Sequence, residues 1–253
     1  CTGAGKTYSS MMAIEEWIRN TPEASVLIVV PSALLHDQWT DEIRNHFKDN
    51  VLVTRFGNNY GFTTQKIRDA TQSTPDGGKP SINIVMAQTA RNKKFISGVN
   101  QGPHLLLIAD EVHRLSSNQN QTILDLVSGA SLGLSATPED HWENERTLIL
   151  LNRFKGIVHE YNIDQAITDN VLTQYSYTPD YVTLTPLEIE DWRKHTRDIK
   201  RQGWTIGENV GGEGREYLKQ LLVKRADIVK KADNKIEKAA DILHSAYKPD
   251  AGQ

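Results

Sequence analysis

The sequence has a single cysteine in 253 residues, which excludes an internal disulfide and any Cys-rich zinc site. One thiol fits a reducing compartment, and a cytoplasmic location is the expectation. It also lacks any apolar run near the roughly 18 residues that a membrane-spanning helix needs, so no membrane partner is expected. Nor is there an excess of either charge: 29 Lys and Arg stand against 32 Asp and Glu, a net charge of −3. Any nucleic-acid surface must therefore be local rather than a global basic field. No internal repeat is visible. What is present is globular in its proportions, 38% hydrophobic and 24% charged, which argues against disorder. The length accommodates one full α/β domain and part of another.

The chain opens "CTGAGKTYSS", inside a phosphate-binding loop of the form G-x-x-x-x-G-K-[ST]. Gly5, Lys6 and Thr7 supply its G-K-T end, and the first glycine of the pattern would fall one place before Cys1. The expectation is a segment of a longer protein that lacks the strand leading into this loop. Backbone N–H groups of Thr2, Gly3, Ala4, Gly5, Lys6 and Thr7 would ring the phosphates of a bound ATP, helped by the positive end of the helix that follows. Lys6 offers a point charge to the β- and γ-phosphates, and the Thr7 hydroxyl can ligate Mg²⁺.

Short β-branched runs alternate with helical patterns over the first part of the chain. Strands are expected at 25–30, 51–55, 82–86, 105–109 and 132–136, and helices at 6–19, 32–48, 87–97 and 121–129. In the second of these helices Leu35, Trp39, Ile43 and Phe47 recur every four residues, a face that should pack on a sheet. Alternating β and α elements with near-continuous apolar strands predict a parallel sheet covered on both faces. The stretch 73–80 reads as a loop. The pattern changes near residue 170: "YVTLT" suggests a strand, Pro186 a helix start, and 215–247 a long helical stretch. From 186 onward 14 Lys and Arg interleave with 12 Asp and Glu, as on a solvated helical surface.

A second constellation follows the fourth expected strand. In "LLLIADEVH", Asp110 and Glu111 stand where the strand ends, and open α/β sheets bind ligands beyond the carboxyl ends of their strands. Asp110 would hold Mg²⁺ through its water shell. Glu111 would accept a proton from the attacking water. His113 follows two places on, and the next strand ends in "SATP". A histidine beside a γ-phosphate can relay its presence to hydroxyls of a neighbouring strand end, here Ser135 and Thr137.

"TGAGKT", "LIVVPSALLHDQW", "IADEVH" and "LSATP" together resemble motifs I, Ia, II and III of superfamily-2 helicases and translocases. The resemblance is to the DExH-type branch that holds repair helicases and restriction translocase subunits. It implies a RecA-like first domain over residues 1–175, with 176–253 as a linker strand and helices leading toward a second RecA-like domain. It further implies an ATP- and Mg²⁺-dependent motor acting on nucleic acid, DNA ahead of RNA, with Lys6, Asp110, Glu111 and His113 as its catalytic set. Pro31, Ser32, Gln88 and Thr89 sit where the family contacts a nucleic-acid backbone, although Ser32 would serve equally as a helix N-cap. Motifs IV to VI are not in the sequence, and motif VI supplies the arginine fingers in this family. The rival readings are a different P-loop NTPase, such as an AAA-type remodeller, and a P-loop domain that binds nucleic acid or protein without turnover. Trp142, Trp192 and Trp204 are expected to pack rather than stack on bases, and Asp140, His141 and Glu143 form no metal-ligand pattern.

Overall fold

The computed structural model describes residues 3, 5–57, 59–72, 78–117, 120–136, 144–205 and 212–247. Its elements run α1 (Lys6–Asn20), β1 (Ser25–Val30), α2 (Ala33–Phe47), β2 (Leu52–Phe56), α3 (Thr64–Thr71), β3 (Ser81–Met86), α4 (Ala87–Ala90), α5 (Lys93–Gly98), β4 (Gly102–Ala109), β5 (Ser128–Gly133), α6 (Asn144–Phe154), α7 (Ile163–Thr168), α8 (Pro186–Thr205), α9 (Gly212–Lys230) and α10 (Asn234–Ala246). The five strands form one sheet in the order β2-β3-β1-β4-β5. Every pairing is parallel.

Period-two alternation sends each strand's side chains to opposite faces, and both faces are covered. Leu27, Val29, Val85, Leu105 and Leu107 enter a cluster with Phe56, Ile67, Phe95 and Leu115. Val26, Ile28, Val30, Ile82, Ile84 and Ile108 enter another with Met11, Ile14, Trp39 and Ile43. The parallel, doubly covered sheet expected from the apolar runs is therefore the fold observed. The apolar face read from α2 is buried at Trp39, Ile43 and Phe47, with Leu35 partly covered.

Several expectations need correcting. The helix over 87–97 is two short helices, α4 and α5, broken where Asn92 caps the second by accepting from the Lys94 N–H. The helix over 121–129 reduces to a 3₁₀ turn at Gln121–Ile123. Ile123, Leu124 and Leu126 are all buried there. The following strand lies at 128–133 rather than 132–136. Its sequence, SGASLG, is half-exposed, and Arg153 holds it from α6 by donating to the Leu126 carbonyl and the Ser128 hydroxyl at 2.9 Å each. The strand expected in "YVTLT" does not form, and residues 175–185 carry no regular structure.

Contacts divide the chain into a unit over Cys1–Gln174 and a second over Tyr175–Gln253. In the second unit α8 packs on α9. Pro186 opens α8 at its first position as its sequence predicts, preceded by Thr185, whose N–H and hydroxyl both bond Glu188. Trp192 lies under the Arg225 guanidinium at 5.6 Å, so this ring is engaged within the helical pair. Trp142, Asp140, His141 and Glu143 lie outside the described residues, as does the side chain of Trp204. Among the described residues no helix is long and apolar enough to cross a membrane.

Candidate nucleotide and nucleic-acid site

Gly3 and Gly5 both have φ +78°, a left-handed conformation that costs an L-side chain about 1–2 kcal/mol per residue. Gly5 is the N-cap of α1 and no side chain caps that end; the first bond of the helix closes from the Ser9 N–H onto the Gly5 carbonyl at 2.9 Å. Helical geometry points the first-turn N–H groups toward the loop, the arrangement that receives an anion. Thr2 and Ala4 lie outside the described residues.

The direction of α1 aligns this loop with the acids. Near its C-terminal end the Trp17 indole donates to the carbonyl of His104, at the start of β4, at 3.3 Å. Met11 and Ile14 share a cluster with Leu106 and Ile108 further along that strand. The N-terminus of α1, and with it Lys6 and Thr7, therefore points to the end of β4 that carries Asp110 and Glu111.

The turn after β4 is built by extending two ladders. Asp110 N–H bonds the Val29 carbonyl at 2.9 Å, Leu134 N–H bonds the Ala109 carbonyl at 2.9 Å, and Val112 N–H bonds the Leu134 carbonyl at 2.8 Å. That register brings His113 beside Ser135, and their side chains meet, Nδ1 to Oγ, at 3.0 Å. Glu111 Oε2 lies 3.4 Å from the same nitrogen. The structure thus brings Glu111, His113 and Ser135 together, while Thr137 lies outside the described residues. Glu111 has φ +47° and ψ +50°, a sparsely populated conformation for a non-glycine residue, and its side chain is 29% exposed.

Asp110 is only 8% exposed. Its Oδ1 accepts the Glu111 N–H at 2.9 Å and its Oδ2 accepts the Trp39 indole N–H at 2.8 Å. Sequence reasoning placed Trp39 on a packing face and missed this bond. The available signal was that a buried indole N–H usually finds an acceptor.

No group of three or more His, Cys, Asp or Glu able to hold a metal occurs among the described residues. A hydroxyl and one fixed carboxylate are hard oxygen donors, and this set fits Mg²⁺, which keeps waters and substrate phosphates as its other ligands rather than a protein cage.

The segments that follow β1, β2 and β3 leave the sheet side by side, because Val30 is in register with Met86 and Phe56 with Val85. They carry Pro31 and Ser32, then Gly57, then Gln88 and Thr89 within the short helix α4. Ser32 caps α2, accepting the Leu35 N–H at 3.4 Å. Gln88 is exposed and Thr89 half-buried. Gly57 has φ +84°, and a Cβ there would run into the Thr89 hydroxyl. Behind these segments lies a polar group not anticipated from the sequence. His36 is fully buried; its Nδ1 accepts from Arg55 Nη2 at 2.9 Å and its Nε2 faces the Ile84 carbonyl at 3.2 Å. Arg55 also pairs with Asp37 and lies over the Tyr60 ring at 4.2 Å. Burial, then the Arg55 charge, lowers the His36 pKa below its ordinary 6.5. With Nδ1 accepting from Arg55, Nε2 is the nitrogen placed to donate to the Ile84 carbonyl.

With this geometry in hand, the relatives of the chain are informative. The family model described as "Type III restriction enzyme, res subunit" matches residues 1–140. A protein of Haloarcula marismortui named as a candidate DNA 3'-5' helicase, Rad25, is 30% identical over 149 residues. That match takes in 59% of this chain and 21% of the relative, so the chain spans about a fifth of its length. Among solved structures, the Hef helicase domain of Pyrococcus furiosus has a TM-score of 0.53 at 18% identity, with 89% of this chain and 49% of that one covered. A nuclease-deletion mutant of the Type ISP restriction-modification enzyme LlaGI, in complex with a DNA substrate mimic, has a TM-score of 0.50 at 16% identity, with 80% and 20% covered. At such identities these two likenesses speak for the fold alone.

Proposed function

The chain belongs to the Type III restriction enzyme res-subunit family, with the first RecA-like domain of a superfamily-2 helicase as its fold, and on that footing we propose that it bears the ATP-hydrolysing site of a nucleic-acid-dependent motor. The observation that carries this reading is the Glu111–His113–Ser135 group beside a doubly held Asp110, at the end of β4 toward which α1 directs Lys6 and Thr7.

In this reading Lys6 and the N–H groups at the start of α1 bind the β- and γ-phosphates of ATP. Thr7 and Asp110 would hold Mg²⁺, which when bound would compensate the negative charge of the phosphates. Glu111 orients a water and takes its proton as the water oxygen bonds to the γ-phosphorus and the bond to the ADP oxygen breaks. Little covalent chemistry is asked of the protein in such transfers; positioning and charge compensation dominate. His113 reads the γ-phosphate and passes its presence to Ser135, coupling hydrolysis to a change of domain arrangement. Pro31 and Ser32 after β1, with Gln88 and Thr89 in α4 after β3, contact the backbone of DNA, where phosphate contacts position a strand without reading its sequence. A second RecA-like domain in the intact protein would close over the nucleotide and bring arginine side chains, which in P-loop enzymes are worth roughly 10³–10⁵ in turnover.

The test is nucleotide binding by the intact protein and its Lys6→Ala variant. A fluorescent ATP analogue with Mg²⁺ should bind the wild type and bind the variant at least about tenfold more weakly, because the phosphates lose a charge-assisted bond worth about 1.5–3 kcal/mol. Equal binding by the two would remove the phosphate-loop reading.

A further inference from the structure

Asp110 is held at both oxygens, and the two donors come from different places in the chain. The Glu111 N–H at Oδ1 is part of the same turn and accompanies the acid wherever the turn goes. The Trp39 indole N–H at Oδ2 is 71 residues distant in sequence. Trp39 sits two turns into α2, 1% exposed, in an apolar cluster with Met11, Ile43 and Ile108. Met11 belongs to the helix that follows the phosphate loop, and Ile108 lies two residues before the acid. The ring is thus wedged between the elements that carry Lys6, Thr7 and Asp110, and cannot turn its N–H elsewhere without opening that cluster.

A carboxylate held by one N–H can swing about its Cβ–Cγ bond; one held at both oxygens cannot. Each oxygen keeps a further lone pair, so the two bonds fix the plane of the carboxylate without consuming its capacity to accept from metal-bound water. Partners of this kind, outside the metal's own ligands, orient them and strengthen binding. We propose that Trp39 is a positioning residue for the metal site, its indole N–H setting the Asp110 carboxylate to receive hydrated Mg²⁺ alongside the nucleotide. The proposal rests on the reading of Asp110 as the metal-holding acid.

The test uses the intact protein and a fluorescent ATP analogue, with Mg²⁺ titrated at fixed nucleotide. Trp39→Phe keeps an aromatic ring in the cluster and removes the donor. It should raise the Mg²⁺ concentration for half-maximal binding by about tenfold, the lower end of the 10–100-fold typical of lost outer partners, while analogue binding in EDTA stays as in the wild type. Ile43→Val removes a methyl group from the same cluster and leaves the N–H, and it should leave the Mg²⁺ midpoint unchanged. Should Trp39→Phe not fold, Trp39→Met, an adaptable apolar filler, is measured in its place with the same expectation. A Mg²⁺ midpoint within twofold of wild type in the Trp39 variant, an equal shift in Ile43→Val, or a parallel loss of binding in EDTA overturns the proposal. Wild-type protein that binds no analogue at all overturns the nucleotide reading, and this proposal with it.

Discussion

Replacing Glu111 by Gln separates binding from chemistry. The substitution preserves length and shape and removes the basicity and the negative charge. Two observations say what else it leaves intact. The link from residue 111 to Asp110 is made by the main-chain N–H, which Gln retains, so the Asp110 carboxylate keeps both its donors. The left-handed backbone at this position, φ +47°, is imposed by the surrounding turn, with Val112 N–H bound to the Leu134 carbonyl and Arg114 N–H to that of residue 111. The His113 contact at 3.4 Å loses its charge, but the closer Ser135 bond at 3.0 Å remains. Nucleotide affinity should therefore change less than about threefold. Turnover should fall by about 10²–10⁴-fold, the usual cost of losing a general base, equivalent to about 3–5 kcal/mol of barrier. Equilibrium binding of a fluorescent ATP analogue and steady-state phosphate release by the intact protein measure the two quantities separately. Turnover within threefold of wild type, or a loss of binding that matches the loss of turnover, would refute the assignment of Glu111 as base.

Two predictions concern Gly57 and the buried His36 behind it. Gly57→Ala places a Cβ in a left-handed residue and against the Thr89 hydroxyl; at about 1–2 kcal/mol for the conformation and about 1–3 for overpacking, the denaturation free energy should drop by about 2–5 kcal/mol. The double variant with Thr89→Ala should recover about 1 kcal/mol or more of this loss, and strict additivity would show that the close approach is not what requires glycine. For His36, the lowered pKa means that the fold favours the neutral ring. Stability from this group is complete above pH 6.5, and is lost as the pH falls below that value toward the folded-state pKa. Melting temperatures between pH 7.5 and 5 should fall more steeply for the wild type than for His36→Gln, and parallel curves would show that His36 is not the responsible group.

Much of this architecture is legible in the sequence where one period dominates. SVLIVV at 25–30 is a strand over those same residues, and the four-residue spacing of Trp39, Ile43 and Phe47 gives a helix with that face buried. Legibility fails where burial is partial. SGASLG carries one large apolar side chain in six residues, so β5 is specified by its parallel pairing to β4 and by Arg153 rather than by local hydrophobicity. "YVTLT" has the composition of a strand, but composition expresses fit to a pleated neighbour. The site shows the same division. His113 and Ser135 could be paired from motif order, because parallel strands with a fixed register bring their C-terminal ends together. The indole bond to Asp110 joins two residues that sequence assigned to different tasks, one to the core and one to the metal. Nothing local at Glu111 announces a left-handed backbone, which follows from the turn's hydrogen bonds to Leu134.

The measurement that bears most directly on the account is phosphate release from Mg-ATP by the intact protein, with and without single-stranded DNA, beside its Lys6→Ala variant. The account predicts turnover that rises at least several-fold when DNA is added and is abolished by Lys6→Ala in both conditions. Turnover that ignores nucleic acid, or that persists in the Lys6→Ala variant, would contradict it.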